Sequence, residues 1–90
     1  MTIKIYFNKE ESLLRMVRRA ALTVVMHGYR PFIDPGWEQH RDLHVVEELG
    51  KYGAHLAAML DGNMTGTVRL ADAVVFPDFE SLVHFRMVWG

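Results

Sequence analysis

Two histidines and a glutamate at helical spacing are the residues of this chain that best fit metal chemistry. His40, His44 and Glu48 stand at positions i, i+4 and i+8, and histidines four residues apart on one helix can bind the same ion. The sequence lacks the His-Glu-x-x-His order of the zinc proteases, Lys51 in the same arc would repel a cation, and no fourth ligand is evident. Metal binding is therefore kept as an alternative, and the main interpretation predicts neither a metal nor a cofactor.

A dense group of aromatic, arginine and histidine side chains surrounds the same region. Tryptophan, tyrosine and arginine are the residue types that most often dominate the binding energy of protein interfaces, and Trp37 can stack with Arg41 one turn later, worth about 0.5–1 kcal/mol when exposed. We predict that this group faces water and binds a protein partner through Tyr29, Arg30, Trp37, His40, Arg41 and His44. Phe32 and Ile33 are predicted to plug the end of the core, and in the alternative for Trp37 its indole folds over them.

Three arginines form a basic ridge on the first predicted helix. Arg15, Arg18 and Arg19, together with Arg86, are the basis of a second alternative, contact with nucleic acid. Three arginines neutralise only a few phosphates, so such binding would be weak and strongly dependent on salt. The net charge of the 90 residues is −1, which does not favour a nucleic-acid partner. A solvated face, with Glu11 paired to Arg15, is the favoured explanation of the ridge.

The sequence offers little for catalysis. Cysteine is absent, which excludes a thiol nucleophile and zinc sites with thiolate ligands. Ser81 precedes His84 by three residues, but on a strand the two side chains would point to opposite faces, and no acid is placed to orient the histidine. We predict a protein that is not an enzyme.

The first elements are a strand and a long helix. Residues 2–7 alternate in the manner of a strand. Asn8 and Glu11 predict the start of a helix, and Gly28 predicts its end. Apolar residues recur at spacings of three and four in between, and Leu22 and Met26 make the second half apolar nearly all round, which predicts cover on two sides.

A second helix is predicted from about Pro35 to Leu60. Asp34 would cap it and Pro35 would occupy the first helical position. On a helical wheel, His40, His44 and Glu48 share an arc of roughly 80° with Trp37. Gly50 and Gly53 each weaken its middle by about 1 kcal/mol relative to alanine, so a kink or break is predicted there.

The last third of the chain favours strands. Residues 64–76 and 80–89 both show a period of two, with Pro77-Asp78 as the turn between them. Residues 79–89 also fit a helical stripe, and a helix there is the alternative.

These elements predict one α+β domain over residues 1–90. The order is β-α-α-β-β, with the helices packed on one face of a three-stranded sheet. The open sheet face, including Leu82, Val88 and Val75, could form a homodimer.

The sequence thus predicts a small protein-binding module that occludes a surface of a larger protein or complex. Inhibitors from phages and mobile elements, anti-CRISPR proteins among them, are similar in size and in lacking enzyme motifs, which is a comparison of build alone. The N-terminal residues show no signal peptide and no apolar run is long enough for a bilayer. We therefore expect a cytoplasmic protein with no membrane contact.

Overall fold

The protein is an α+β domain built on a three-stranded antiparallel sheet, as the sequence predicts. A computed structural model describes residues 1–31, 33–57 and 73–90. In chain order its elements are β1 (Ile3–Tyr6), a 3₁₀ turn (Phe7–Lys9), α1 (Glu11–Met26), α2 (Trp37–Gly50), β2 (His55–Leu56), β3 (Ala73–Phe76) and α3 (Phe79–Trp89). The order of element types matches the predicted β-α-α-β-β roughly: β2 lies within the segment predicted as a helix, and a third helix follows β3.

The sheet has one apolar face, which the helices cover. Its strand order is β1-β3-β2, and Ile3 pairs with Phe76 while Ile5 and Leu56 flank Val74. Side chains of a strand alternate between faces, so these five apolar residues share the core side. The outer side of the sheet carries the alternating residues Lys4, Tyr6, His55 and Val75.

The core lies between this sheet face and the helices. Phe85 of α3 contacts Phe76 of β3 and Tyr52, with ring centroids 5.4 and 5.1 Å apart in edge-on geometry. Such aromatic pairs contribute about 0.5–1.5 kcal/mol beyond the burial of their area. The fully buried residues of the core include Phe7, Leu13, Met16, Val45, Leu49, Val74, Phe76 and Phe85.

Helix α1 ends as predicted but starts differently. Gly28 follows it with φ of 98°, the left-handed conformation that glycine adopts at little cost. Asn8 lies in the 3₁₀ turn, and Glu10 is the residue that precedes the helix. The prediction that the second half is covered on two sides is wrong, because Leu22 and Met26 are exposed.

Helix α2 is shorter than predicted at both ends. It begins at Trp37, after Gly36 with φ of 86°, so the prediction that Asp34 caps it is wrong. It ends at Gly50, and Gly53 then takes φ of 69°. The backbone N–H of Ala54 donates to the carbonyl of Leu49 at 3.0 Å, which satisfies a carbonyl at the helix end as the chain turns into β2.

The strand predicted over residues 80–89 is wrong, and the helical alternative is correct. Asp78 accepts a 2.7 Å hydrogen bond from the backbone N–H of Ser81, a side-chain cap at the start of α3. This bond lowers the pKa of Asp78. Leu82 is buried in the core and Val88 is exposed on the helix, so neither lies on the open sheet face.

Of the earlier predicted strand, residues 73–76 form β3, whereas residues 64–72 lie outside the described residues. Homodimer formation through the open sheet face stays a prediction. Of the three residues predicted for it, only Val75 lies on that face. In the described ranges, no helix has the length and apolarity to span a bilayer.

Candidate interaction surface

The junction between α1 and α2 (residues 27–36) and α2 itself together hold the six residues predicted to bind a partner. The chain leaves α1 through Gly28, where the backbone N–H of Tyr29 donates to the carbonyl of Val24 at 3.3 Å. It enters α2 after Gly36. The junction therefore places Tyr29 and Arg30 beside the first turns of α2.

Arg30 is held by Asp34 within the junction. Its guanidinium donates to Asp34 Oδ1 from Nε at 3.2 Å and from Nη2 at 3.0 Å, and its backbone N–H donates to Oδ2 at 2.6 Å. The side-chain hydrogen bonds from Arg30, followed by the backbone one, lower the pKa of Asp34. Asp34 thus orders the loop rather than capping the helix.

Tyr29 and His40 form a second contact across the junction. The Tyr29 hydroxyl lies 2.8 Å from Nε2 of His40, and the two rings are 4.5 Å apart between centroids. His40 is exposed, whereas Tyr29 is partly buried. The pair joins the loop to α2 and leaves the imidazole at the surface.

Trp37 is buried, so the prediction that its indole faces water is wrong. Only 6% of the residue is exposed. Arg41 lies over the indole with its guanidinium carbon 5.1 Å from the ring centroid, as the i, i+4 spacing predicts. The same guanidinium contacts the fully buried carboxylate of Asp42, at 3.0 Å from both Nε and Nη2 to Oδ1. Trp37 and Arg41 are therefore part of the packing, and neither presents a free anchor to a partner.

The remaining predicted contact, His44, lies beside His27. Their ring centroids are 6.0 Å apart. Ile33 is exposed, so the prediction that it plugs the end of the core is wrong, and Phe32 lies outside the described residues.

The metal alternative receives no support from the geometry. No three histidine, aspartate or glutamate side chains converge on a common point within residues 1–31, 33–57 and 73–90. His40 contacts Tyr29, and Glu48 accepts a 2.9 Å hydrogen bond from Nζ of Lys51. That hydrogen bond raises the pKa of Lys51. His40, His44 and Glu48 share a helix but do not form a ligand set.

An apolar stripe on the outer side of α3 is the feature that sequence reasoning missed. Phe79, Val83 and Met87 stand at i, i+4 and i+8, and 62%, 37% and 80% of these residues are exposed. Residues at this spacing lie on one face of a helix. Leu82 and Phe85 occupy the opposite, buried face, so α3 is apolar on both sides. The signal was available in the helical stripe of residues 79–89, which the strand interpretation set aside.

The basic ridge of α1 adjoins the last turn of α3. Arg15 donates from Nη1 to the carbonyl of Gly90 at 2.7 Å. Arg15, Arg18 and Arg19 line a shallow depression with Leu22 and Trp89. The aromatic neighbour of the ridge is Trp89, which comes from α3 and could not be found from residue spacing along α1.

Arg86, the fourth arginine of the nucleic-acid alternative, is not part of this depression. It donates to Glu10 from Nε at 3.1 Å and from Nη2 at 2.8 Å. These hydrogen bonds lower the pKa of Glu10 and raise that of Arg86. The ion pair commits Arg86 to an internal contact between α3 and the start of α1.

Comparison with protein-family models, with curated proteins and with solved structures gave no match to this chain. Functional inference therefore depends on the geometry of its surfaces.

Proposed function

We propose that this protein is a non-enzymatic binding module that inserts the outer side of α3 into an apolar groove on a larger protein. The observation that carries the proposal is the exposed stripe of Phe79, Val83 and Met87. Single exposed apolar residues are normal on protein surfaces. Three at i, i+4 and i+8 reproduce the anchor spacing by which an amphipathic helix binds a hydrophobic groove.

The energetics of such binding are favourable because α3 is already formed. Its inner side packs Leu82 and Phe85 in the core, and Asp78 caps its first turn. A partner would therefore not have to order the helix, a cost that reduces affinity in flexible ligands. Full burial of a large apolar side chain contributes about 1.5–3 kcal/mol, so three partly exposed anchors supply several kcal/mol.

Occlusion of the groove would make the protein an inhibitor of the larger partner. An anti-defence protein of the anti-CRISPR type, encoded by a phage or mobile element, is the specific form of this proposal. Tyr29, Arg30, His40 and His44 remain a predicted second contact, with Trp37 and the mostly buried Arg41 as packed support.

The test combines crosslinking with affinity measurement. A photoreactive benzoylphenylalanine at Met87, in the native host, is expected to crosslink one larger protein, and the same group at exposed Asn8 is not. With that protein purified, the double variant Val83→Glu and Met87→Glu should weaken binding about 100-fold or more, since each anchor of this kind can cost 2 kcal/mol. Asn8→Asp should leave affinity unchanged.

Two outcomes would overturn the proposal. One is equal affinity of the wild type and the double variant for the crosslinked protein. The other is self-association through the stripe: light scattering that shows a dimer of the wild type but a 10.4 kDa particle for Val83→Glu would assign the stripe to a second copy of the chain.

A further inference from the structure

We propose that the ridge of α1 is a second docking surface, which binds an acidic amphipathic segment of a protein. We call it the arginine depression and define it by its lining residues Arg15, Arg18, Arg19, Leu22 and Trp89. It belongs to a different helix from the α3 stripe. The inference therefore stands whether or not α3 binds a groove.

The arginine depression is open and has a mixed lining. Its volume is about 340 Å³. The side chains of Arg15 and Arg18 are 50% and 70% exposed, and Arg19 and Leu22 are also exposed. Trp89 contributes a partly buried indole. Cationic groups thus surround an apolar floor.

The depression is positively charged although the chain as a whole is not. Glu11 Oε1 lies 3.8 Å from Nε of Arg15 and 3.4 Å from Nη1 of Arg18. Arg19 forms no ion pair with any of the described residues. Glu11 therefore pairs with two of the three guanidinium groups, and the lining of the depression has an excess of positive charge in a protein whose net charge is −1. Complementary charge speeds association and selects the partner.

A carboxylate-bearing protein segment fits this lining better than nucleic acid does. Guanidinium groups bind carboxylates in a bidentate manner, and Leu22 offers a surface for an aliphatic side chain. Trp89 is partly buried, so only part of its ring is available for a base to stack on. The occupant is therefore a segment in which aspartate or glutamate alternates with large aliphatic residues.

The experiment uses the full chain and a defined probe. The probe is a fluorescein-labelled peptide of about 12 residues, roughly three helical turns, made of glutamate, alanine and leucine with leucine at every third or fourth position. Three controls have the same length: glutamate and alanine only, lysine in place of glutamate, and a single-stranded oligonucleotide. Fluorescence anisotropy is read at about 50 mM and 500 mM salt, where screening differs strongly.

The leucine-containing acidic peptide should bind, and binding should weaken at least tenfold at the higher salt. Arg19→Glu should weaken it at least tenfold and Leu22→Ser several-fold, while the matched charge reversal Lys9→Glu, at an exposed position of the 3₁₀ turn, should leave it unchanged. Thermal unfolding confirms that each variant is folded. Arg19→Lys, which keeps the charge but not the bidentate geometry, should retain part of the affinity.

Every other result overturns the inference. If the acidic peptide does not bind, the arginine depression is not a docking surface for such segments. If the peptide without leucine binds as tightly as the one with leucine, the partner need not be amphipathic. If the oligonucleotide binds more tightly than the acidic peptide, the surface is assigned to nucleic acid. Because the α3 double variant Val83→Glu and Met87→Glu should still bind the peptide, failure here is distinct from failure of the groove proposal.

Discussion

Arg86 and Glu10 form a two-point ion pair that joins α3 to the residue preceding α1. The two bonds measure 3.1 and 2.8 Å and span 76 positions of sequence. The Glu10 side chain is only 13% exposed. The hydrogen bond from Arg86 is the largest influence on the Glu10 carboxyl and lowers its pKa against the opposing effect of burial, with a smaller contribution from Ser12.

Glu10→Gln is expected to lower the free energy of unfolding by about 1 kcal/mol at neutral pH, the upper end for partly exposed pairs. Because the folded pKa lies below the unfolded value of about 4.3, the stabilisation is fully present above that value and is lost as the pH falls through the folded pKa. Urea unfolding followed by circular dichroism should show the gap between wild type and variant closing below about pH 4. A gap that does not change with pH would contradict this account, and exposed Glu47→Gln serves as the control.

Trp37→Ala should destabilise the protein by about 3 kcal/mol, since truncation of a buried aromatic residue leaves a cavity. Circular dichroism is the suitable probe, because the change removes one of two tryptophans and alters the fluorescence signal itself. Trp37→Phe should cost less. A loss below about 1 kcal/mol, the level of surface substitutions, would mean that the indole is not packed as the structure places it. If Trp37→Ala fails to bind a partner, the loss of folding stability is therefore the first explanation, ahead of the loss of a direct contact.

Arg41→Ala should cost about 3 kcal/mol, because it withdraws a guanidinium from the fully buried carboxylate of Asp42 and such broken pairs are strongly destabilising. It also removes the cation stacked on Trp37. Arg41→Lys should recover only part of the loss, since an ammonium group lacks the planar geometry of a guanidinium. Chemical denaturation of the wild type, Arg41→Ala and Arg41→Lys at one pH measures the order of their stabilities. A lysine variant as stable as the wild type would contradict the role of the guanidinium geometry.

Helix α1 could be predicted from sequence because one stripe of apolar residues faces a single core. Helix α3 was predicted as a strand because its residues are apolar on nearly every side, so periods of two and of 3.6 both fit. The cap from Asp78 to Ser81 was the local signal that distinguishes them. Sequence patterns identify a helix poorly when its outer side is also apolar.

The candidate surface was harder to predict than the fold. A helical wheel places Trp37 with His40 and His44 on one side of α2. It gives only the direction of each side chain around its own helix, and not whether other parts of the chain cover that side, as they do at Trp37. Strand β2 has only two residues, His55 and Leu56, and forms through pairing with β3. Its existence depends on a tertiary contact, which local propensity does not encode.

Gly50 and Gly53 should respond oppositely to alanine, although only three positions separate them. Gly50 ends α2, and a Cβ there would meet no atom within 4 Å; alanine should stabilise by about 0.5–1 kcal/mol by restricting the unfolded chain. Gly53 has φ of 69°, and an added Cβ would lie 3.2 Å from Cγ of Pro77. Alanine at this position should therefore destabilise by more than about 1 kcal/mol. Thermal unfolding of the two variants measures the signs, and a stabilising Gly53→Ala would show that the turn into β2 does not require the left-handed conformation.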